Sequence, residues 1–221
     1  MTLKKAVIKD IEEEARKYFK NASGCHDWSH VDRVRNLALH IGRKEKADLF
    51  VLEIAALLHD IGRKKEMKNK GKFCHAEIGF DLAEKILKRL NFNEKQISNI
   101  CHCIITHRFR NSHVPNSIEA KVLYDADKLD SIGAIGVART CLFAGNAGSN
   151  TVYTGNEKNI AKRKKDYSYT KEDSAYLEFE VKLKHIKNKI LTKTGKKIAL
   201  DRHNYMKNYF KRMWQEVRGE K

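Results

Sequence analysis

An all-α protein is what this 221-residue sequence predicts, and three observations carry the expectation. Apolar residues recur with the 3.6-residue helical period through most of the chain, a single proline interrupts it, and the alternating β-branched runs that build strands are few. A 41% hydrophobic share can close a sizeable core, with 33% charged residues to cover it, so the length suits one large domain.

Each element has its own signal. A first amphipathic helix is expected from about Leu3 to Phe19, with Ala6-Val7, Asp10-Ile11, Ala15 and Tyr18-Phe19 returning turn after turn until Asn21-Ala22-Ser23-Gly24 ends it. Asp27, a good N-cap, opens a second helix that carries His30 in its first turn, then Val31, Val34, Leu37, Ala38 and Ile41, and stops before Gly42. The third, Ala47 to His59, is apolar nearly all round at Ile54-Ala55-Ala56-Leu57-Leu58, the mark of a central buried helix. It delivers His59 and Asp60 to its C-terminus. Gly62 breaks the pattern, and Arg63 to Gly71 reads as a basic loop. Helices follow from about His75 to Leu90 and from Glu94 to about His107. After Pro115, Ser117-Ile118-Glu119-Ala120 opens a sixth that carries Val122, Leu123, Ala126, Asp127, Leu129 and Asp130, with Asp127 and Asp130 on one face.

Residues 132 to 156 hold five of the 12 glycines, and the stretch from about Ala144 to Thr170 has no sustained period, so a flap is expected there. Its Lys162-Arg163-Lys164-Lys165 run beside Tyr167 and Tyr169 suits closure over an anionic substrate. Gly145-Asn146-Ala147-Gly148-Ser149 lacks the Gly-Lys-Ser/Thr ending of a phosphate-binding P-loop. Two C-terminal helices, about Lys171 to Leu191 and Lys196 to Val217, are expected to pair as a hairpin, with Leu177, Val181, Ile186 and Ile190 against Ile198, Tyr205, Phe210 and Trp214.

The net charge of +17 is uneven: from Lys158 onward 19 Lys and Arg face 8 Asp and Glu. Such a surface attracts phosphate-bearing substrates or nucleic acid, or is simply a solvated lysine-rich face. The longest apolar stretch, Val51 to Leu58, is broken by Glu53 and falls far short of the ~20 residues of a membrane-spanning helix, and Met1-Thr2-Leu3-Lys4-Lys5 lacks a signal peptide's apolar region. A cytoplasmic protein with no membrane partner is expected. Five cysteines without a CxxC fit a reducing compartment. Cys101-His102-Cys103 does not read as a zinc site, because residues two apart on a helix diverge by about 200°.

The chemistry rests on His30, the pair His59-Asp60, and Asp127. A histidine beside a carboxylate at the end of a very apolar helix needs a partner, since burying both unpaired costs several kcal/mol. Imidazole and carboxylate donors suit a divalent first-row metal, and four of them leave positions open for water and substrate. The segments around these residues are Cys25-His26-Asp27-Trp28-Ser29-His30-Val31-Asp32-Arg33-Val34, Ala55-Ala56-Leu57-Leu58-His59-Asp60-Ile61-Gly62, and the run from Glu119 through Asp127 to Arg139. In that order, H, HD and D, they resemble the HD superfamily of metal-dependent phosphohydrolases. The third looks like a bacterial and archaeal subgroup of small stand-alone HD hydrolases.

The resemblance covers about residues 20–145 and implies an HD-domain helical bundle with its metal-binding core there. The basic C-terminal third is not diagnostic of it, and with the flap read at about 144–170 and the hairpin at about 171–218 the expectation is a single domain over residues 1–221 with a C-terminal helical extension. The resemblance also implies that His30, His59, Asp60 and Asp127 hold a divalent metal ion, manganese or magnesium in first place, with nickel, cobalt, iron and zinc as alternatives. That ion lowers the pKa of water and polarises a phosphoryl oxygen, and Asp60 also orients the water. His75 and His107 fall where two-metal HD phosphodiesterases place further histidines; one metal is favoured here, with His75 and His107 contacting phosphate or donating a proton to the leaving group. Arg33 and Lys128, near His30 and Asp127 in sequence, are candidates to neutralise phosphoryl charge, and Asp130 to orient a water or a histidine. His26, four residues before His30, reads as a decoy for zinc, and Asp27 as a cap. The expected substrate is a nucleotide or related small phosphorylated molecule, with nucleoside triphosphate pyrophosphohydrolysis in first place. The alternatives are a basic nucleic-acid-binding protein and a nuclease using the same metal site.

Overall fold

The computed structural model describes residues 3–20, 27–69, 72–109, 113–146, 148–149, 151–162 and 170–221. Among them every regular element is helical. The chain groups into two compact units, Met1–Asp127 with Leu191–Gly195, and Lys128–Ile190 with Lys196–Lys221.

In the first unit, α1 (Leu3–Arg16) runs into a 3-10 turn at Lys17–Phe19. The expected helix stop at Asn21-Ala22-Ser23-Gly24 lies outside the described residues. Asp27 caps α2 (Trp28–Glu45) by accepting from the His30 backbone N–H. This helix runs through Gly42, where the sequence predicted its end, and stops at Lys46 in the left-handed conformation (φ 59°). The reason is close packing: a Cβ at Gly42 would lie 2.5 Å from Leu52 Cδ2, so the glycine lets α2 press against α3.

Asp48 caps α3 (Leu49–Leu58) by accepting from the N–H groups of Phe50 and Val51. The helix is the hub of the unit, packed against α1, α2 and α6, and seven of its ten residues are buried. At about 1.5–3 kcal/mol for each fully buried aliphatic side chain, it dominates the local apolar gain. Glu53, the residue that breaks its apolar run, pairs with Arg35 of α2, which also holds Glu12 of α1 at 3.0 Å.

Within the expected loop, Lys70 and Gly71 lie outside the described residues, while Arg63–Lys68 form a short helix, α4. Its Arg, Lys, Glu and Met residues are good helix formers, but one apolar residue in six gives no period to read. Then come α5 (His75–Arg89) and α6 (Glu94–Thr106), the latter capped by Asn93 accepting from the Gln96 N–H, and α7 (Ile118–Leu129). Buried Asp125 on α7 accepts from Leu191 N (2.8 Å), Thr192 N (2.7 Å) and Thr192 Oγ1 (2.6 Å). This clasp fastens the returning segment to the first unit.

The second unit holds α8 (Gly133–Asn146), α9 (Glu157–Lys162), α10 (Ala175–Val181), a 3-10 segment Leu183–Asn188, and most of α11 (Lys193–Val217). The expected helix from Lys171 to Leu191 is divided at Lys182 (φ −120°, ψ −53°), after which Leu183 and Ile186 bury together on the three-residue repeat of a 3-10 turn. Within the expected flap, α9 buries Glu157 and Ile160. Arg163-Lys164-Lys165, Tyr167 and Tyr169 lie outside the described residues. The contact of α10 with α11 is aromatic rather than aliphatic: Phe179 and Tyr176 meet the Phe210 ring at 4.9 and 5.3 Å, and Tyr176 meets Trp214 at 5.4 Å. Leu177, expected against α11, packs on Ile160.

Candidate metal centre

The end of α3 and the starts or ends of four other helices converge in the first unit. His30 sits in the first turn of α2, His59 and Asp60 follow α3, His75 opens α5, His107 follows α6, and Asp127 lies on α7. They form two groups: His30, His59 and Asp127, and Asp60, His75 and His107, each with its ligand atoms within 4.8 Å of one another. His30 Nε2 lies 3.3 Å from His59 Nε2 and 3.4 Å from Asp127 Oδ1. Asp60 faces both groups. Its Oδ2 is 3.7 Å from His30 Nε2 and 3.8 Å from His59 Nε2, while its Oδ1 is 3.1 Å from His75 Nε2 and 3.6 Å from His107 Nε2.

Hydrogen bonds on the far side of the rings decide which nitrogen carries the proton. His59 Nδ1 donates to Ala56 O (2.7 Å) and His107 Nδ1 to Ile104 O (2.6 Å), because a carbonyl can only accept. His75 Nδ1 donates to Glu66 Oε2 at 2.6 Å. Burial pushes all three imidazoles below the usual histidine range, toward the neutral form. Burial would raise the Asp60 carboxyl, but the Arg63 guanidinium beside it holds it well below the usual carboxylate range. Neutral rings thus aim Nε2 lone pairs at carboxylate oxygens. Acceptors converging at 3–4 Å in a buried place repel unless a cation lies among them, so the donor set fits a divalent ion of mixed nitrogen and oxygen preference.

Three residues absent from the sequence reading brace this centre. Arg63, one turn after Asp60, sends Nε to Asp60 Oδ2 (2.8 Å) and Nη2 to Asp60 Oδ1 (3.3 Å). Glu66 holds His75, and Arg108 Nη1 holds Glu66 Oε1 at 2.9 Å. Arg63 was legible as the residue three after Asp60 only if the segment was read as helix. Glu66 in a lysine run gave no signal.

The remaining candidates have other surroundings. Half-buried Arg33 donates to Ser29 Oγ at 2.9 Å. Lys128 and Asp130 belong to the second unit, where Asp130 is paired with Arg139 Nη1 at 2.6 Å and Lys128 O accepts from Ser131 Oγ. Asp27 caps α2, and His26 lies outside the described residues. His102 Nε2 accepts from the Asn116 N–H. Cys101 and Cys103 are buried free thiols whose pKa burial pushes up, to about 12 for Cys101.

The HD domain family model matches residues 27–132. The uncharacterised protein YpgQ of Bacillus subtilis is 34% identical over 201 residues, covering 89% of this chain and 87% of that protein. The chain belongs to the HD family. It superposes on the crystal structure of B. subtilis YpgQ in complex with ADP with a TM-score of 0.74 and 29% identity, over 97% of both chains. An HD-superfamily hydrolase from Bacillus thuringiensis gives a TM-score of 0.73 and 26% identity over 97% of this chain and 98% of that one. Ribonuclease Y of Borrelia garinii is 29% identical over 116 residues, 52% of this chain and 21% of the enzyme. This HD protein is a metal-dependent phosphohydrolase of all-α architecture. Among the described residues no helix is long and apolar enough to cross a membrane.

Proposed function

We propose that this HD hydrolase cleaves a phosphoester or phosphoanhydride bond of a nucleotide, with nucleoside triphosphate pyrophosphohydrolysis, giving a monophosphate and pyrophosphate, as the leading reaction. His30, His59, Asp60 and Asp127 hold the divalent ion, manganese or magnesium before nickel, cobalt, iron or zinc. The observation that carries the reading is the meeting of His30, His59 and Asp127 with their ligand atoms within 4.8 Å of one another and Asp60 Oδ2 beside them. The ADP held by crystalline YpgQ supports a nucleotide substrate.

A bound divalent ion lowers the pKa of water and neutralises charge gathering on phosphoryl oxygens. The Ala56 carbonyl fixes the His59 ring so that Nε2 faces the centre. Ionised Asp60 accepts a hydrogen bond from the attacking water and orients it. His107 presents its lone pair at Nε2, so it suits accepting a proton or contacting a water better than donating to the leaving group, while the His75 Nε2 lone pair faces Arg63 Nη2 at 3.3 Å. Arg33 and Lys128 are assigned to the substrate's phosphates by their positions next to His30 and Asp127 along the helices. Asp130, paired with Arg139 in the second unit, is assigned to the substrate by its position one turn after Asp127 in the sequence.

The test is incubation of metal-stripped protein with manganese, magnesium, nickel, cobalt or zinc and a nucleotide panel, with products separated by chromatography and Asp60→Ala as the control. Metal-dependent release of monophosphate and pyrophosphate that the variant lacks is the expected result; no turnover of any nucleotide refutes the reading. The local similarity to Ribonuclease Y and the +17 charge favour one second reading, a nuclease. RNA cleavage lost in Asp60→Ala with RNA binding retained would select it.

A further inference from the structure

The Asp60–His75–His107 group already contains a cation of the protein's own. Arg63 Nη2 lies 3.3 Å from His75 Nε2 and 3.3 Å from Asp60 Oδ1, two acceptors that face each other at 3.1 Å. Its Nε closes the fork on Asp60 Oδ2 at 2.8 Å. The guanidinium has donors only, so it separates acceptors that otherwise repel.

The arrangement is locked from behind. His75 Nδ1 gives its proton to Glu66 Oε2 at 2.6 Å, and Glu66 Oε1 also faces the His75 backbone N–H. Arg108 Nη1 steadies Glu66 at 2.9 Å. The proton therefore stays on Nδ1, and the Nε2 lone pair is left to receive the Arg63 N–H. A lone pair engaged by Arg63 is not available to a metal ion. The short helix α4, missed in the sequence, sets this up: Arg63 is its first residue, three positions after Asp60, so its side chain returns along the helix toward Asp60.

We propose that Arg63 is the resident cation of the Asp60–His75–His107 group and that its guanidinium confines this HD centre to one divalent ion, although six potential ligands converge there. The inference rests on the metal-binding reading under Proposed function and states what limits its stoichiometry. The fixed positive charge of Arg63 on the Asp60 carboxylate also repels a second divalent ion approaching the His75 and His107 side.

The experiment is manganese binding to the full chain by equilibrium dialysis with elemental analysis, joined to electron paramagnetic resonance, which separates an isolated manganese ion from an exchange-coupled pair. The wild type is expected to bind one ion with an uncoupled spectrum, and Arg63→Lys likewise, since the charge is kept. Arg63→Met and Arg63→Gln are expected to bind two and to show the coupled spectrum, and adding His75→Ala to either returns the count to one. Two coupled ions in the wild type overturn the proposal, and so does one ion in both neutral variants with helical circular dichroism intact. Should either neutral variant fail to fold, the other and the wild-type count decide. No manganese in any of these proteins defeats the metal reading itself, a result distinct from either count.

Discussion

Gly62→Ala tests whether the metal centre depends on backbone-to-backbone contact between the N-cap of α4 and the start of α5. Gly62 has φ −79° and ψ −15°, a conformation any residue adopts, so alanine meets no backbone obstacle and should gain about 0.4–1 kcal/mol through the unfolded state. Space decides the sign. A Cβ there would lie 2.2 Å from His75 O and 2.8 Å from Gly79 N, both main-chain atoms that cannot rotate aside. Ordinary contact requires a shift of roughly 1 Å, and overpacking of this kind costs about 1–3 kcal/mol or more. The net expectation is a loss of about 1–2 kcal/mol, or about 2–8 °C in the unfolding midpoint of a chain this size. The shift acts on His75, whose Nε2 is 3.1 Å from Asp60 Oδ1, so manganese affinity should fall as well. Gly145→Ala on α8 is the control: nothing lies within 4 Å of its Cβ, and a helical glycine replaced by alanine gains about 0.5–1 kcal/mol. Urea unfolding of the metal-free proteins reads both. A Gly62→Ala protein as stable as wild type refutes the packing argument.

Three other outcomes are expected. Asp125→Ala strands buried donors of Leu191 and Thr192 and should destabilise by about 1–3 kcal/mol in urea titrations; a change below a few tenths means the clasp is not made. Because the folded pKa values of His59, His75 and His107 lie below their unfolded values, the unfolded chain takes up protons first as pH falls. Stability of the metal-free protein should therefore decline as pH drops through about 6.5, and a midpoint flat from pH 8 to 5 contradicts this. Manganese at about a hundred times its dissociation constant should stabilise the protein by about 2.7 kcal/mol, an effect read in thermal melts and absent after chelation.

Much of the first unit was legible because its signals are local. Asp27 and the period of Val31, Val34 and Ala38 announce α2, and the apolar run of α3 announces burial on all sides. The four metal candidates stood out as polar residues on apolar faces. What escaped has other causes. Gly42 reads as a terminator unless Leu52, ten residues on, is known to press against it. α4 has too few apolar residues to carry a period, so Arg63 and Glu66 were hidden with it. In the second unit, Tyr176 and Phe179 take the place on α11 that Leu177 seemed to claim, since a periodic pattern tells which residues bury and not against which helix.

The clasp between Asp125 and residues 191–192 also bears on how the chain is made. A ribosome delivers Asp125 well before Leu191 and Thr192, so the nascent metal-bearing unit carries a carboxylate destined for burial with its three donors still unsynthesised. The unit can gather its helices early, but it can close this part of its interior only after the chain has passed through the whole of α8, α9 and α10. Completion of the HD unit is thereby timed to the arrival of the C-terminal helix, and translation stopped before residue 191 leaves it open at α7.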